Sequence, residues 1–232
     1  MGPPGPGTDI HFKNMFPDGD PGLVAMQTEE RFKKELGAGA GLMGIRLEEE
    51  TLDRFFLFSF ELGRFNARVN LVSRKKPDWV RTHFLDSLAP LSLGLVSEEG
   101  RVLDLGAGAG FPGIPLKLAR PGLTLDLAES SGKKCAWLRH LLRVLGLEGT
   151  AVLEGRFEGL PGRGYAGAYD LVVARAVARP ESVMGAAKPF LKPGGRLLVF
   201  TRMGLVEEKA GKVHPYTVPG LTIPSAIWEV SF

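Results

Sequence analysis

Between Val102 and Ala119 the chain reads VLDLGAGAGFPGIPLKLA, and this stretch limits the possible folds more than any other. A short apolar run, the pattern of a buried strand, ends at Asp104 and Leu105. Gly106, Gly108 and Gly110 come next at alternate positions, and a helical pattern begins after Pro112. Glycine lacks a Cβ, so the backbone can turn sharply there and let a ligand lie against its amides. The N–H groups at the start of the next helix favour polar or anionic ligand groups. Strand, glycine turn and helix in this order open a parallel sheet, whose ligands bind beyond the carboxyl ends of the first strands.

The rest of the chain after Gly100 fits that reading. Strand candidates are Arg101–Leu105, Leu123–Ala128, Ala151–Leu153, Leu171–Ala174, Arg196–Thr201 and Ala226–Phe232. Lys133–Leu145 is a helix with Trp137, Leu138, Leu141, Leu142 and Leu145 on one side, and Lys192–Gly195 is a turn. Such alternation predicts an α/β fold: a mostly parallel, Rossmann-like sheet with helices on both faces.

The N-terminal part differs. Residues 1–40 mix Gly, Pro and Asp with isolated apolars and read as a weakly ordered tail, with room for a short helix around Thr28–Leu36. Met26 and Met43 are both candidate starts. From Leu47 on, Leu52, Phe55, Phe56, Phe58, Leu62, Phe65 and Val69 recur at three- and four-residue intervals, which predicts an amphipathic helix. Residues 41–232 then form a single domain, with a helical part over 41–99 and a cofactor-binding core over 100–232. The stretch 64–86 carries Arg64, Arg68, Arg74, Lys75, Lys76 and Arg81 with few acids, and is either a solvated face or a phosphate-contacting loop.

Composition removes several classes. No run of 18 apolar residues is present, so no membrane span is expected, and Met1–Gly7 lacks the apolar stretch of a signal peptide. Cys135 is the single cysteine, so no internal disulfide forms, which fits a reducing cytoplasm. His11, His83, His140 and His214 show no metal-ligand spacing. A net charge of +3 permits a nucleic-acid partner without requiring one.

The glycines at 108, 110 and 113 fit the dinucleotide fingerprint G-x-G-x-x-G, but the strand ends at Leu105, and counted from Gly106 the third position is Phe111. Asp104-x-Gly106-x-Gly108-x-Gly110 instead resembles the first motif of methyltransferases that use S-adenosylmethionine. Glu129 closes the second strand 23 residues after Gly106, where a carboxylate can accept both ribose hydroxyl protons of an adenosine. A nicotinamide cofactor would use the same acid.

The residues after the fourth strand narrow the acceptor. An Asn/Asp-Pro-Pro-aromatic turn serves methylation of exocyclic amines, and here the chain reads Val173-Ala174-Arg175-Ala176. Methylation of pyrimidine C5 needs a cysteine nucleophile, and Cys135 lies inside the helix after Glu129. A ring nitrogen with a free lone pair, such as guanine N7, needs no base, and no catalytic base is apparent. Arg175 ends the fourth strand on the ligand side.

The blocks NLVS, HFLDSL, VLDLGAGAGFPGIPLKLARPG, LAESSGKKCAWL, GRFE, YDLVVARAVA and LKPGG, in that order over residues 47–204, resemble the ribosomal small-subunit methyltransferase G family, also called glucose-inhibited division protein B. The resemblance implies a class I methyltransferase fold in a bacterial cytoplasmic enzyme that transfers a methyl group from S-adenosylmethionine to N7 of a guanine in 16S ribosomal RNA. Matched positions imply a cofactor site of Asp104, Gly106, Gly108, Gly110, Phe111, Glu129, Phe157, Glu158 and Arg175. Lys133, Lys134, Arg156, Arg74, Lys75 and His83 become RNA contacts, and His83 and Asp86 in HFLDSL border the site or brace the fold. The partner is 16S RNA or the small-subunit particle; no metal and no membrane are implied, and a monomer is expected. FTRMG stands where the family often has Lys-Gly, PSAIWEVSF lacks the usual basic residue, and the tail over 1–40 is not family-like. A small-molecule or protein methyltransferase, a non-catalytic RNA-binding assembly factor and a nicotinamide oxidoreductase stay open as alternatives.

Overall fold

A computed structural model of the chain describes residues 21–73, 78–175, 180–205, 211–222 and 224–232. Helices α1 (Pro21–Leu42) and α2 (Glu49–Val69) lead into a π-helical stretch, Val80–Leu85, and α3 (Asp86–Ser92). The core then alternates β1 (Gly100–Leu105), α4 (Gly113–Ala119), β2 (Leu123–Glu129), α5 (Gly132–Leu145), β3 (Thr150–Glu154), β4 (Tyr169–Ala174), α6 (Pro180–Ala187), β5 (Leu191–Arg202), β6 (Lys212–Tyr216) and β7 (Ser225–Ser231).

The sheet runs β3-β2-β1-β4-β5-β7-β6. The pairs from β3 to β5 are parallel, and β7 runs antiparallel to both β5 and β6. The order reverses direction between β1 and β4, so the crevice beyond their carboxyl ends is the place where a ligand fits such a sheet.

Period-two alternation sorts the strand residues into two apolar layers. Val102, Leu125, Leu127, Leu171, Val173 and Leu198 face the layer built from α1, α2, α4, α5 and the π-helix. Leu103, Leu105, Val172, Leu197 and Val199 face the opposite layer, with Val183, Ala187 and Phe190. Helix α2 buries Leu52, Phe55, Phe58 and Leu62 as its spacing predicts, with Phe56 and Phe65 partly buried. Each fully buried ring contributes on the order of 2–3 kcal/mol.

Three expectations change. Residues 21–40 of the expected tail are helical, because α1 begins at Pro21 and buries Phe32, Leu36 and Ala40; residues 1–20 lie outside the described residues. These residues pack on the π-helix: Phe32 meets Phe84 edge-on at 5.4 Å, and a Cβ at Gly39 would overlap Leu85. The Lys192–Gly195 turn lies inside β5 as an irregularity, since Tyr169 pairs with Leu191 and Leu171 with Arg196. Strand β6 was not expected; Pro215 weakens its pattern, and proline is tolerated there because β6 is an edge strand. Among the described residues no helix is long and apolar enough to cross a membrane, and no cluster of metal-ligating side chains is found.

Candidate active site

At the carboxyl end of β1 the glycine turn is locked to β2 by its own backbone. Gly106 and Ala107 donate N–H bonds to the Ala128 carbonyl at 2.9 and 3.0 Å, and Gly110 donates to Ala107 at 2.7 Å. Gly106 has φ +83° and nothing within 4 Å of where a Cβ would sit, so this peptide borders open space. A side chain at that φ is strained, and glycine leaves the amides bare.

Glu129 completes the turn. Its Oε2 accepts the Gly108 N–H at 3.0 Å, and Oε1 accepts those of Ser130 and Ser131, each at 2.9 Å. Three backbone donors fix the carboxylate at the strand end; Oε1 is filled by two of them, and Oε2 retains one lone pair for a further donor. Asp104 lies beneath the turn with no exposed surface. Its Oδ2 accepts the Gly113 N–H at 2.8 Å, while Oδ1 is buried and has no partner among the described residues. Burial pushes this carboxyl up to about 7, against the Gly113 N–H bond and the Arg175 charge, which lower it; Glu129 adds to the rise.

The other half of the site is assembled from distant segments. Arg175, just past β4, donates to Asp86 Oδ2 at 3.1 Å, and its Nη2 lies 2.8 Å from His83 Nδ1. Its guanidinium sits over the Phe111 ring, 5.2 Å from the centroid. Phe111 also stacks on Phe58 at 4.9 Å and on His83 at 5.2 Å. Tyr216 at the end of β6 donates to Asp86 Oδ1 at 2.6 Å. Burial and the Asp86 charge push the Tyr216 hydroxyl well above the usual tyrosine range.

The expected residues therefore divide into groups. Asp104, Gly106, Gly108, Gly110 and Glu129 form one continuous wall around the turn. Phe111 is only 5% exposed, so its side chain supports Arg175 and leaves its backbone to the crevice. Phe157 and Glu158 lie on an exposed short turn after β3, and Phe157 keeps 38% of its surface open. Lys133 and Arg156 are exposed and Lys134 is half-buried. His83, half-buried, joins Asp86 in the Arg175 network, a place that borders the site as the HFLDSL segment implies. Arg81 is engaged as well, paired to Glu35 at 2.5 Å and Asp78 at 2.8 Å. Arg74 and Lys75 lie outside the described residues. Sequence reasoning missed Tyr216, whose only signal is an aromatic residue at the end of a weak strand pattern.

The residues fit S-adenosylmethionine. The buried Asp104 oxygen lacks a partner, as expected beside a cationic or hydrogen-bonding group. Glu129 offers its remaining acceptor, on Oε2, at the end of β2, where a ribose hydroxyl can donate to it. The open face at Gly106 accommodates backbone contact, and Phe157 offers a flat apolar surface.

A sheet of this order with β7 reversed, a glycine turn after β1 and an acid after β2 defines a Rossmann-like class I methyltransferase. Solved structures agree at the level of the fold. TYW2 of P. horikoshii in complex with MeSAdo superposes with a TM-score of 0.50 at 11% identity, covering 71% of this chain and 65% of that one. A fibrillarin/Nop5p complex chain gives 0.50 at 18% identity, covering 64% and 84%. The chain belongs to the GidB family, rRNA small subunit methyltransferase G, whose pattern matches residues 49–204. The ribosomal RNA small subunit methyltransferase G of Roseiflexus sp. (strain RS-1) is 38% identical over 195 residues, 77% of this chain and 82% of the relative. That of Myxococcus xanthus (strain DK1622) is 38% identical over 169 residues, 72% and 77% of the two chains.

Proposed function

We propose that this chain transfers a methyl group from S-adenosylmethionine to N7 of a guanine in small-subunit (16S) ribosomal RNA. The observation that carries the reading is an intact cofactor wall, Asp104 to Gly110 with Glu129, in a chain of this family. The bound sulfonium supplies an electrophilic methyl group. Glu129 would hold a ribose hydroxyl of the cofactor, and the bare turn amides would meet its amino-acid part. Asp104 offers its second oxygen to the nearest hydrogen-bond donor. Phe157 and Glu158 bracket the adenine. Arg175, held by Asp86 and His83, borders the acceptor side and orders the wall there.

Guanine N7 presents a lone pair, so no proton has to leave before the bond forms. The work of the protein is then to align the two reactants and exclude water. Lys133, Lys134 and Arg156 contact phosphates of the RNA, as do Arg74 and Lys75 of the basic stretch. The enzyme acts in the cytoplasm as a monomer.

The test is transfer of tritium from labelled S-adenosylmethionine to small-subunit particles lacking the modification, naked ribosomal RNA or a protein mixture. Label recovered as 7-methylguanosine is the expected result. Cofactor binding with no label in RNA would overturn the substrate assignment and direct attention to proteins or small molecules.

A further inference from the structure

Helix α5 contains Lys133, Lys134, Arg139, His140 and Arg143 and no acidic residue. One side of it, with Trp137, Leu138, Leu141 and Leu145, is buried. Lys133, Arg139 and Arg143 are exposed; Lys133, the half-buried His140 and Arg143 follow one face at seven- and three-residue spacing, and Arg139 flanks Arg143 one turn earlier. The row starts at the rim of the cofactor crevice, four residues after Glu129, and runs about 15 Å down the outside of the sheet.

A second helix widens the row. Helix α2 packs beside α5 through Phe65, whose ring centroid is 4.7 Å from that of His140 and 5.1 Å from that of Trp137. Arg64 and Arg68, both exposed, lie on its last two turns. A chain of contacts ties the helices together at the seam. Arg64 donates to Glu61 at 2.8 Å, Glu61 meets His140 Nε2 at 2.7 Å, and Arg143 lies 3.3 Å from His140 Nδ1. Glu61 is 5% exposed and lies under the arginines, where it orients them without facing solvent.

Among the described residues, the one exposed carboxylate paired to the row is Glu154, 2.7 Å from Arg139, with both side chains about half open. An exposed pair of this kind contributes little, so a phosphate can replace Glu154 at small cost.

We infer that the exposed face of α5 with Arg139 and Arg143, together with the adjoining end of α2 with Arg64 and Arg68, is a second phosphate-binding track that holds the RNA strand leading away from the target nucleotide. The inference rests on the RNA-methyltransferase reading. A strand whose nucleotide sits in the crevice has to leave along a surface, and this row of cations begins at the crevice rim. Arginine presents a planar fork of donors that matches phosphate oxygens. An acidic protein segment would satisfy the charge but has no reason to start at a nucleotide site.

The test compares the unaltered chain with the double variant Arg139→Gln and Arg143→Gln, and with Arg46→Gln as a control on an exposed arginine far from the seam. Binding of small-subunit RNA is followed by anisotropy from about 50 to about 200 mM salt. Loss of two phosphate contacts should lower the salt slope by about 1.5 and weaken binding about tenfold. KM for RNA should rise by a similar factor, with kcat, cofactor affinity and melting temperature unchanged, and Arg46→Gln should match the unaltered chain. RNA binding by the unaltered chain that the double variant retains, with the same slope, overturns the track and leaves the functional reading standing. Failure of the unaltered chain to bind or methylate RNA overturns both.

Discussion

The hydroxyl of Tyr216 lies 2.6 Å from Asp86 Oδ1, across 130 residues of sequence, and the other oxygen of that carboxylate holds Arg175. The edge hairpin is thereby wired to the end of β4, although β5 and β7 stand between them in the sheet. Tyr216 lies beyond residues 49–204, the span of the family match, yet it braces the Arg175 side of the crevice.

Replacing Tyr216 by Phe removes only the hydroxyl. A hydrogen bond to a charged group contributes about 1.5–3 kcal/mol, so a loss of that order in chemical denaturation is expected. Asp86 then holds Arg175 less firmly, and kcat should fall while affinity for a cofactor bound at Glu129 stays within about twofold. Full activity in Tyr216→Phe would show that the brace has no bearing on the site.

Glu129→Ala removes an acceptor from the ribose position and strips partners from the N–H groups of Gly108, Ser130 and Ser131. Cofactor affinity measured by calorimetry should fall by at least about tenfold, since a charge-assisted bond carries about 1.4 kcal/mol or more. Glu129→Gln retains an acceptor and should lose less. An unchanged dissociation constant in both variants would sink the ribose assignment.

Asp104 gives a pH signature. Burial raises its carboxyl from 3.8 to about 7, so the folded chain retains a proton that the unfolded chain releases. Its contribution to stability is fully present below the unfolded value near 3.8 and is lost as pH rises through about 7. The span corresponds to at most about 4 kcal/mol. Denaturation curves of Asp104→Asn should lack this decline relative to the unaltered chain. The same decline in both would place the titration elsewhere.

Lys133 and Lys134 stand at the start of α5, beside the crevice rim. Reversing both charges should weaken RNA binding and reduce its salt dependence, by about one unit of slope or more, without altering the melting temperature. RNA affinity and slope equal to those of the unaltered chain would exclude the pair as contacts.

Gly113 tests the turn itself. A Cβ there would lie 2.7 Å from Asp104 Oδ2 and 3.0 Å from Leu127 Cδ2, both in packed surroundings. Gly113→Ala should cost about 1–3 kcal/mol and weaken cofactor binding together with stability. A stable Gly113→Ala with full cofactor affinity would mean that the turn tolerates a shift of α4.

The glycine-turn side of the candidate site was legible in the sequence because its geometry is local. The turn from Asp104 to Gly110 is one contiguous segment, and Glu129 comes at the spacing of the next strand end. Backbone conformation there depends on which residues lack a Cβ, and that is written residue by residue. The periodicity of α2, the strand alternation and the helix α5 were legible for the same reason. The Arg175 side was decided by tertiary structure. His83, Asp86, Arg175 and Tyr216 meet only because the π-helix, β4 and β6 converge on Phe111, at separations of 89 to 130 residues for the Asp86 contacts. The burial of α1 was likewise undecided by its composition, because its weak pattern gains meaning only against the Phe84 and Leu85 surface that it covers. Packing of remote apolar faces chooses among local patterns that are nearly equivalent in isolation, and a single sequence states those patterns without stating their partners.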